Sequence, residues 1–486
     1  MIKSFKNLFF NNIGIKQTIF KNTFWLVFAE GVSRFLSFVL IIYIIKILGV
    51  TNFGKFAFAL AFVTIFETIS NFGLPEIATR EFSQDKEIER EYPTILSFKI
   101  VLSIVALILM LIVSFFVTHD AVILKAIWIL AIYALIDNFF FIIYALLRAR
   151  QQMEYEAGVK ILQVLLMFSV VFFILFKFPS VKNISYGYLF ADTVALALVL
   201  LFVHLRIHPL NLSWNKNTLQ KFFRLSWPLG IATILTGILL SIDSVIMGYF
   251  NQINEAGWYN VSRQAIGIII MPATFIYMSF YPSLSKFFKE SRETFQKIWN
   301  YYMRIMIVLA LPIMMGGFFF ARQIIELIFG YNFAPSIVVF QILIFLAGLN
   351  FLFNPYTLAL IVSGQQKKYL CLILAGAVIN VALNLILIPR YSLYGASVTA
   401  LITYIVLFLL GVEFSRRFTK ISVFNSDLLK SLLISFFASA AMVFSISQIS
   451  LSGVNVFINM SAGVLIYFMV LFLTYKLINK SYIFSI

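Results

Sequence analysis

The sequence is poor in charge, cysteine and histidine, and each shortage removes a class of protein. Only 12% of its 486 residues are charged, about half the share typical of a soluble domain. With 62% hydrophobic residues, the chain holds more apolar surface than a soluble core can hide; lipid takes the place of that core. The single cysteine, Cys371, excludes a disulfide framework and a thiol-rich metal site. Three histidines, His119, His204 and His208, are too scattered for a metal cluster. Long polar loops are missing too. The longest, around 205–225, carries an amphipathic stretch of its own, NKNTLQKFFRLSW, which reads as lying on the inner membrane surface. No loop is large enough for a soluble catalytic domain, so the chain reads as a transporter and not an enzyme.

Acidic residues are outnumbered, giving a formal charge of +17. In a soluble protein that points to nucleic acid. Here it reads as orientation, with basic residues gathered in cytoplasmic loops, and nucleic acid is not an expected partner. The N-terminal stretch MIKSFKNLFFNNIGIKQTIFKN is basic and amphipathic and lacks a small-residue cleavage site. It is expected to remain as an interfacial segment over 1–22.

What the sequence has in abundance is long apolar runs. A spanning helix needs roughly 20 apolar residues. About fourteen such runs occur, at 24–46, 55–77, 97–117, 121–146, 160–178, 184–204, 226–249, 257–282, 300–320, 335–361, 369–388, 393–413, 428–447 and 456–475. The tightest seam is Thr118, His119 and Asp120, between the third and fourth. With the N-terminus inside, the cytoplasmic segments collect most of the basic residues, among them Lys21, Arg80, Lys99, Arg148, Arg150, Lys160, Lys221, Lys286, Arg416 and Arg417. The other side keeps Lys46, Lys55, Lys125, Lys177, Lys182, Arg322 and Arg390. The ratio is roughly four to one, and a missed helix would invert everything after it. The expectation is an all-α polytopic membrane protein of about fourteen transmembrane helices, both termini cytoplasmic.

An internal repeat organises these helices. The stretch 24–59 is similar to 226–260, each a spanning run followed by glycine and an aromatic: Gly54 and Phe56 in one, Gly257, Trp258 and Tyr259 in the other. The offset of about 203 residues makes each unit six helices, as in parallel repeats related by an axis along the membrane normal. The expected organisation is a six-helix bundle over 23–206, an amphipathic linker over 207–225, a second six-helix bundle over 226–415 related by a pseudo-two-fold, and two additional helices in 416–486. Pro228, Pro272, Pro312 and Pro355 fall inside spans of the second half and none inside the first six, so the second half should be the more bent.

Several segments resemble one family. They are ILGVTNFGKFAFALAF (47–62) with NFGLPEIATREFS (71–83), SIDSVIMGYFNQINEAGWYNVSRQ (241–264), RQIIELIFGYNFAPS (322–336) and INVALNLILIPRYSLYGASVTALITY (379–404). In this order they are similar to the Wzx-type polysaccharide (O-antigen) flippases of the multidrug/oligosaccharidyl-lipid/polysaccharide exporter superfamily. The resemblance implies a flippase that moves a lipid-linked oligosaccharide, on a polyprenyl diphosphate, from the cytoplasmic to the outer leaflet of a bacterial inner membrane by alternating access. It implies membrane lipids and the polysaccharide polymerase machinery as partners and a role in lipopolysaccharide assembly. A drug exporter of the same superfamily and a membrane-embedded glycan polymerase or ligase are the rival readings; the polymerase is expected to carry a large external loop, which is absent here.

Ionisable residues inside a bilayer are costly and usually functional. A diphosphate cannot cross hydrocarbon unpaired and needs a cationic cavity. Arg34, within the first helix, is the first candidate for holding it, and Glu30 precedes it by one turn. The alternative is an ion pair locking that helix to a neighbour. Asp243 and Arg263 fall at similar depth on consecutive helices, as a gate, a clamp, or with Arg263 as a second phosphate ligand. Glu67, Asp137 and Asp192 lie in the second, fourth and sixth helices, where carboxyl groups suit coupling to a proton or sodium gradient or bond neighbouring polar groups. Asn380 and Asn384, one turn apart, share a face and suit either sugar hydroxyls or interhelical hydrogen bonds. No metal or cofactor is expected.

Overall fold

In a computed structural model, which describes residues 12–84, 88–207, 211–422, 425–450 and 456–478, regular structure among the described residues is entirely helical. The α-helices are α1 Ile15–Asn71, α2 Leu74–Gln84, α3 Tyr92–Val117, α4 Ala121–Ala149, α5 Met153–Lys177, α6 Val181–Arg206, α7 Lys216–Tyr249, α8 Ile253–Glu290, α9 Arg292–Phe319, α10 Ala321–Ile328, α11 Ser336–Val362, α12 Gln366–Thr419, α13 Ser426–Ser450 and α14 Val456–Ile478. Among the described residues, 11 helical stretches are long and apolar enough to cross a membrane. The chain is a multi-pass membrane protein.

Two helices far exceed a bilayer. α1 has 57 residues and α12 has 54, over ~80 Å each at 1.5 Å per residue, against ~30 Å of hydrocarbon. Each is broken once, α1 at Gly49 (φ 69°, ψ 179°) and α12 at Ser392 (φ 50°, ψ −129°). Positive φ at Gly49 carries no steric penalty because glycine has no Cβ. The arms on either side of each break are long enough to span. Short loops were expected at both places. A single residue makes each connection instead, which leaves fewer backbone groups without partners than a loop would.

The seam at 118–120 is a true interruption. Asp120 ends it by accepting hydrogen bonds from the Val122 and Ile123 amides at 2.7 and 3.2 Å, capping α4. Asn215 caps α7 in the same way. The amphipathic residues from Lys216 onward therefore form the first turns of α7 itself. Residues 1–11 of the expected interfacial segment lie outside the described residues; from Ile15 the chain is continuous with the first span. Pro228, Pro272, Pro312 and Pro355 all lie inside helices.

The chain divides into two compact units, Met1–Asn260 and Val261–Ile486. The core of the first gathers Leu74, Phe82, Tyr92, Phe140 and Phe222 from α2, α3, α4 and α7. The core of the second is built on Trp299, Tyr302, Met306, Phe351 and Tyr356. There, α13 and α14 pack on α9 through Met442, Ile446 and Tyr467, and the Tyr467 hydroxyl donates to the Val308 carbonyl at 2.6 Å.

One contact in the first unit has reciprocal form. A Cβ on Gly54 would stand 2.1 Å from the Ile253 carbonyl oxygen, and a Cβ on Gly257 would stand 2.6 Å from the Val50 carbonyl oxygen. Val50 and Ile253, like Gly54 and Gly257, are separated by the repeat's offset of 203 residues. Each glycine thus meets the residue one turn before the other, the pattern of an isologous pair. Only glycine admits backbones this close. Gly54→Ala and Gly257→Ala should each lower the apparent melting temperature of the detergent-purified protein, at a cost of about 1–3 kcal/mol. The double variant should cost little more than the worse single, because both changes open one contact. Gly31→Ala, which meets nothing within 4 Å, is the neutral control.

The same end of the first unit carries an ion pair. Lys55 Nζ lies 2.6 Å from Asp120 Oδ2. Partial burial pushes the Asp120 carboxyl up, but Lys55 and the two capping amides outweigh it and hold the group below its ordinary 3.8. A lowered folded value means a contribution that is present above about pH 4 and is lost as pH falls through the folded value. Asp120→Asn keeps the cap and removes the charge. Its melting-temperature deficit should be constant at neutral pH, worth less than about 1 kcal/mol for so exposed a pair, and should vanish below pH 4.

Candidate functional site

Polar residues of the first unit collect in two adjoining groups. The first is a ladder of alternating charge where α4 ends and α5 begins. Arg148 grips Glu156 with two bonds, Nε–Oε2 at 2.8 Å and Nη2–Oε1 at 2.6 Å. Lys160, one turn further along α5, lies 3.2 Å from Glu156 and 3.5 Å from Glu30 of α1. Glu30 in turn accepts from Arg34 Nε at 2.6 Å. The order is Arg34, Glu30, Lys160, Glu156, Arg148: three cations and two carboxylates. The Glu156 side chain is 0% exposed and Lys160 19%, while Arg34 is 48% and Arg148 40%. The middle of the ladder is more covered than its ends, with Glu30 at 25%, and both ends present half-exposed guanidinium groups. Lys21, fully buried, adds a clamp at the same end, with Glu154 at 2.7 Å and the Gln151 carbonyl at 3.4 Å.

The second group lies deeper. Gln163, three residues beyond Lys160, donates from Nε2 to Asp137 Oδ1 at 2.7 Å and to both oxygens of Asp192 at 3.2 Å. Its Oε1 accepts from the Tyr144 hydroxyl at 3.4 Å. Glu67 stands within electrostatic reach of Asp137 and Lys99. Lys99 is 0% exposed and donates to the Ser70 carbonyl at 2.9 Å, Asn71 Oδ1 at 2.8 Å and Asn138 Oδ1 at 3.4 Å. Ser70 and Asn71 are the last residues of α1, so the ammonium also caps the negative end of that helix.

The structure therefore brings Glu67, Asp137 and Asp192 together, and places Glu30 with Arg34 on the adjoining ladder. Asp243 accepts a short hydrogen bond from the Tyr259 hydroxyl of α8. Arg263 lies on α8 in the second unit. Asn380 and Asn384 are buried in α12: Asn384 Nδ2 donates to Asn380 Oδ1 at 3.0 Å, and Asn380 Nδ2 reaches Thr403 Oγ1 at 3.4 Å, tying the two arms of α12 across the Ser392 break. The second unit also holds an apolar cavity of about 300 Å³, lined in part by Ile269, Pro312, Gly316, Ile344, Met442 and Tyr467.

Several participants carry no mark of a site in the sequence, Lys21, Glu154 and Tyr144 among them. Arg148, Lys160 and Lys99 were grouped with cytoplasmic loop charges, and Glu156 and Gln163 were passed over. For Lys99 a signal existed: Pro93 opens α3, which sets Lys99 about two turns inside the helix. For Lys160 the signal was Glu156, one turn earlier.

Residues 19–288 match the family described as polysaccharide biosynthesis protein, more than half of the chain. The chain belongs to that family. It is 21% identical over 404 residues to the capsular polysaccharide biosynthesis protein CapF of Staphylococcus aureus, covering 82% of this chain and 99% of CapF. It is 22% identical over 308 residues to the uncharacterized membrane protein MJ1068 of Methanocaldococcus jannaschii; that match spans 60% of each protein. Among solved structures, the inward closed conformation of the lipid II flippase MurJ superposes with a TM-score of 0.76 at 14% identity, over 93% of this chain and 99% of MurJ. An inward-facing multidrug resistance MATE transporter of the MOP superfamily gives 0.64 at 15% identity, over 80% and 96%. The fold is the one these transporters share.

The buried lysine gives a sharp test of the cluster. Lys99→Met removes the donor for three acceptors and the one ammonium among three carboxyl groups. The loss should cost about 3–5 kcal/mol, read as a large fall in melting temperature in detergent. A variant that melts with the wild type would show that Lys99 carries no structural charge.

Proposed function

We propose that this protein is a flippase that carries a polyprenyl-diphosphate-linked oligosaccharide from the cytoplasmic to the outer leaflet during surface polysaccharide synthesis. The observation that carries the reading is the ladder. A spanning unit that keeps two half-exposed guanidinium groups, each oriented by a carboxylate, offers a charge-assisted, bidentate site for phosphate oxygens. Membership of a polysaccharide biosynthesis family and a fold shared with a lipid II flippase agree with an anionic, lipid-linked cargo. In this reading the apolar cavity of the second unit suits the polyprenyl chain. The breaks at Gly49 and Ser392 each join two crossings. That raises the 11 stretches to thirteen crossings, and the shorter apolar helix α14 makes a fourteenth, with both termini in the cytoplasm of a bacterium and the ladder at the cytoplasmic end.

The Glu67, Asp137 and Asp192 group supplies the driving step. Three carboxyl groups against one ammonium hold an excess of negative charge that binds a proton or sodium ion, and alternating access follows the occupancy. The chemistry is transport, with no bond made or broken. The fold also fits a multidrug exporter, the second reading. The ladder opposes it for cationic drugs, which the positive ends repel.

Complementation of a bacterium lacking its own glycan flippase, scored by surface polymer, separates the two. Wild type should restore polymer. Arg34→Ala should abolish it with protein levels near normal, and Arg34→Lys, which keeps charge but loses the fork, should retain part of the activity. Normal polymer from Arg34→Ala would remove Arg34 from the substrate site. Drug resistance without polymer would favour the exporter.

A further inference from the structure

The ladder and the carboxyl group meet on one turn of α5 and one tyrosine of α4. Lys160 belongs to the ladder and Gln163 to the carboxyl group, three residues apart on one helical face. The buried Tyr144 touches both: its ring lies 5.3 Å from Lys160 Nζ, and its hydroxyl donates to Gln163 Oε1 at 3.4 Å. We propose that Gln163, Tyr144 and Lys160 form a coupling element through which proton occupancy of the Asp137–Asp192 pair sets the position of the Arg34 and Arg148 guanidinium groups. The proposal rests on the phosphate-site reading above and adds how that site is controlled.

The direction of the hydrogen bonds supplies the switch. Gln163 Nε2 donates to Asp137 and Asp192, so the contacted oxygens are acceptors. When both carboxyls carry protons on the contacted oxygens, they present O–H groups and call for the opposite face of the amide. Gln163 then turns its Oε1 to the carboxyl group and its Nε2 to Tyr144. A tyrosine hydroxyl serves as donor or acceptor, so the link survives the turn while its hydrogen changes sides. The ring that moves with this hydroxyl is the one beneath Lys160.

Lys160 is placed to respond. It is shared between Glu156 at 3.2 Å and Glu30 at 3.5 Å, whereas the outer pairs close to 2.6 Å. A shift toward either carboxylate loosens that one's hold on its arginine and tightens the other's. The charged and titratable groups facing this element and its partners are Glu30 and Glu67 from α1, Glu76 from α2, Lys99 from α3, Tyr133, Asp137 and Arg148 from α4, Glu156 from α5, and Tyr188 and Asp192 from α6.

The test uses the purified full-length protein in detergent with a polyprenyl pyrophosphate as probe, titrated between about pH 5 and pH 9. Wild-type affinity should vary with pH. Tyr144→Phe keeps the ring under Lys160 and removes the hydroxyl, so the pH-dependent change in affinity should shrink at least about threefold. Lys160→Met should weaken binding about tenfold across the range, and Lys160→Arg should recover most of it. Wild-type pH dependence in Tyr144→Phe, or wild-type affinity in Lys160→Met, overturns the proposal. A ligand-free arm keeps it independent of the cargo. Asp137→Asn and Lys160→Met are combined in a cycle on melting temperature, in the wild-type and Tyr144→Phe backgrounds. Coupling predicts departure from additivity by about 2 °C or more in the first background and additivity in the second. If the probe fails to bind wild type, the phosphate-site reading falls and the cycle alone decides the coupling; additivity in the wild-type background overturns it.

Discussion

An ion in hydrocarbon must find an opposite charge, and the first unit is arranged around that requirement. Arg34, Lys160 and Arg148 stand in alternation with Glu30 and Glu156. The pairing dictates which helices touch. Glu30 and Arg34 come from α1, Arg148 from α4, and Glu156 and Lys160 from α5, so the ladder cross-links three helices at one end of the bundle. Buried ion pairs add little net stability once desolvation is counted. Here the arrangement leaves an odd number of cations, and the surplus positive charge falls at the exposed ends, where an anion can reach it.

The deeper group has the opposite imbalance, three carboxyl groups to one ammonium. A unit that sets a positive surplus one helical turn from a negative one balances charge between neighbours, and any cation taken up or released at the carboxyl group changes the field felt by the ladder. Lys99 serves both needs at once. It supplies a tethered counter-charge and satisfies the open end of α1, which is why its acceptors are a backbone carbonyl and two amide oxygens and not a carboxylate.

How much of this was legible in the sequence follows from range. Glu30 with Arg34 and Asn380 with Asn384 are pairs at a spacing of four, and local spacing alone sets them on one face. The apolar runs gave the helices, and the offset between Gly54 and Gly257 was visible before their contact was. The connections at Gly49 and Ser392 were read as loops because a single reversed dihedral leaves no mark in hydropathy. Lys99, Arg148 and Lys160 were hidden by the rule that makes topology readable, since counting basic residues by side treats a lysine two turns inside a helix as a loop charge. The partnership of Lys160 with Glu30 spans 130 residues, and nothing local announces it.

The two ends of α4 differ in kind, and the difference bears on motion. At one end, near the Asp120 cap, Gly54 and Gly257 bring backbones into direct contact with no side chain between them. Such a contact has no rotamers to adjust; it holds or it parts. At the other end, ~40 Å away along α4, the ladder joins helices through long side chains whose distances run from 2.6 to 3.5 Å, and these re-pair with small displacements. Packed backbone is bistable, while shared ion pairs are graded. A backbone contact fixes one arrangement of the helices, and a charged junction adjusts within that arrangement. The first unit contains one at each end of the same helix.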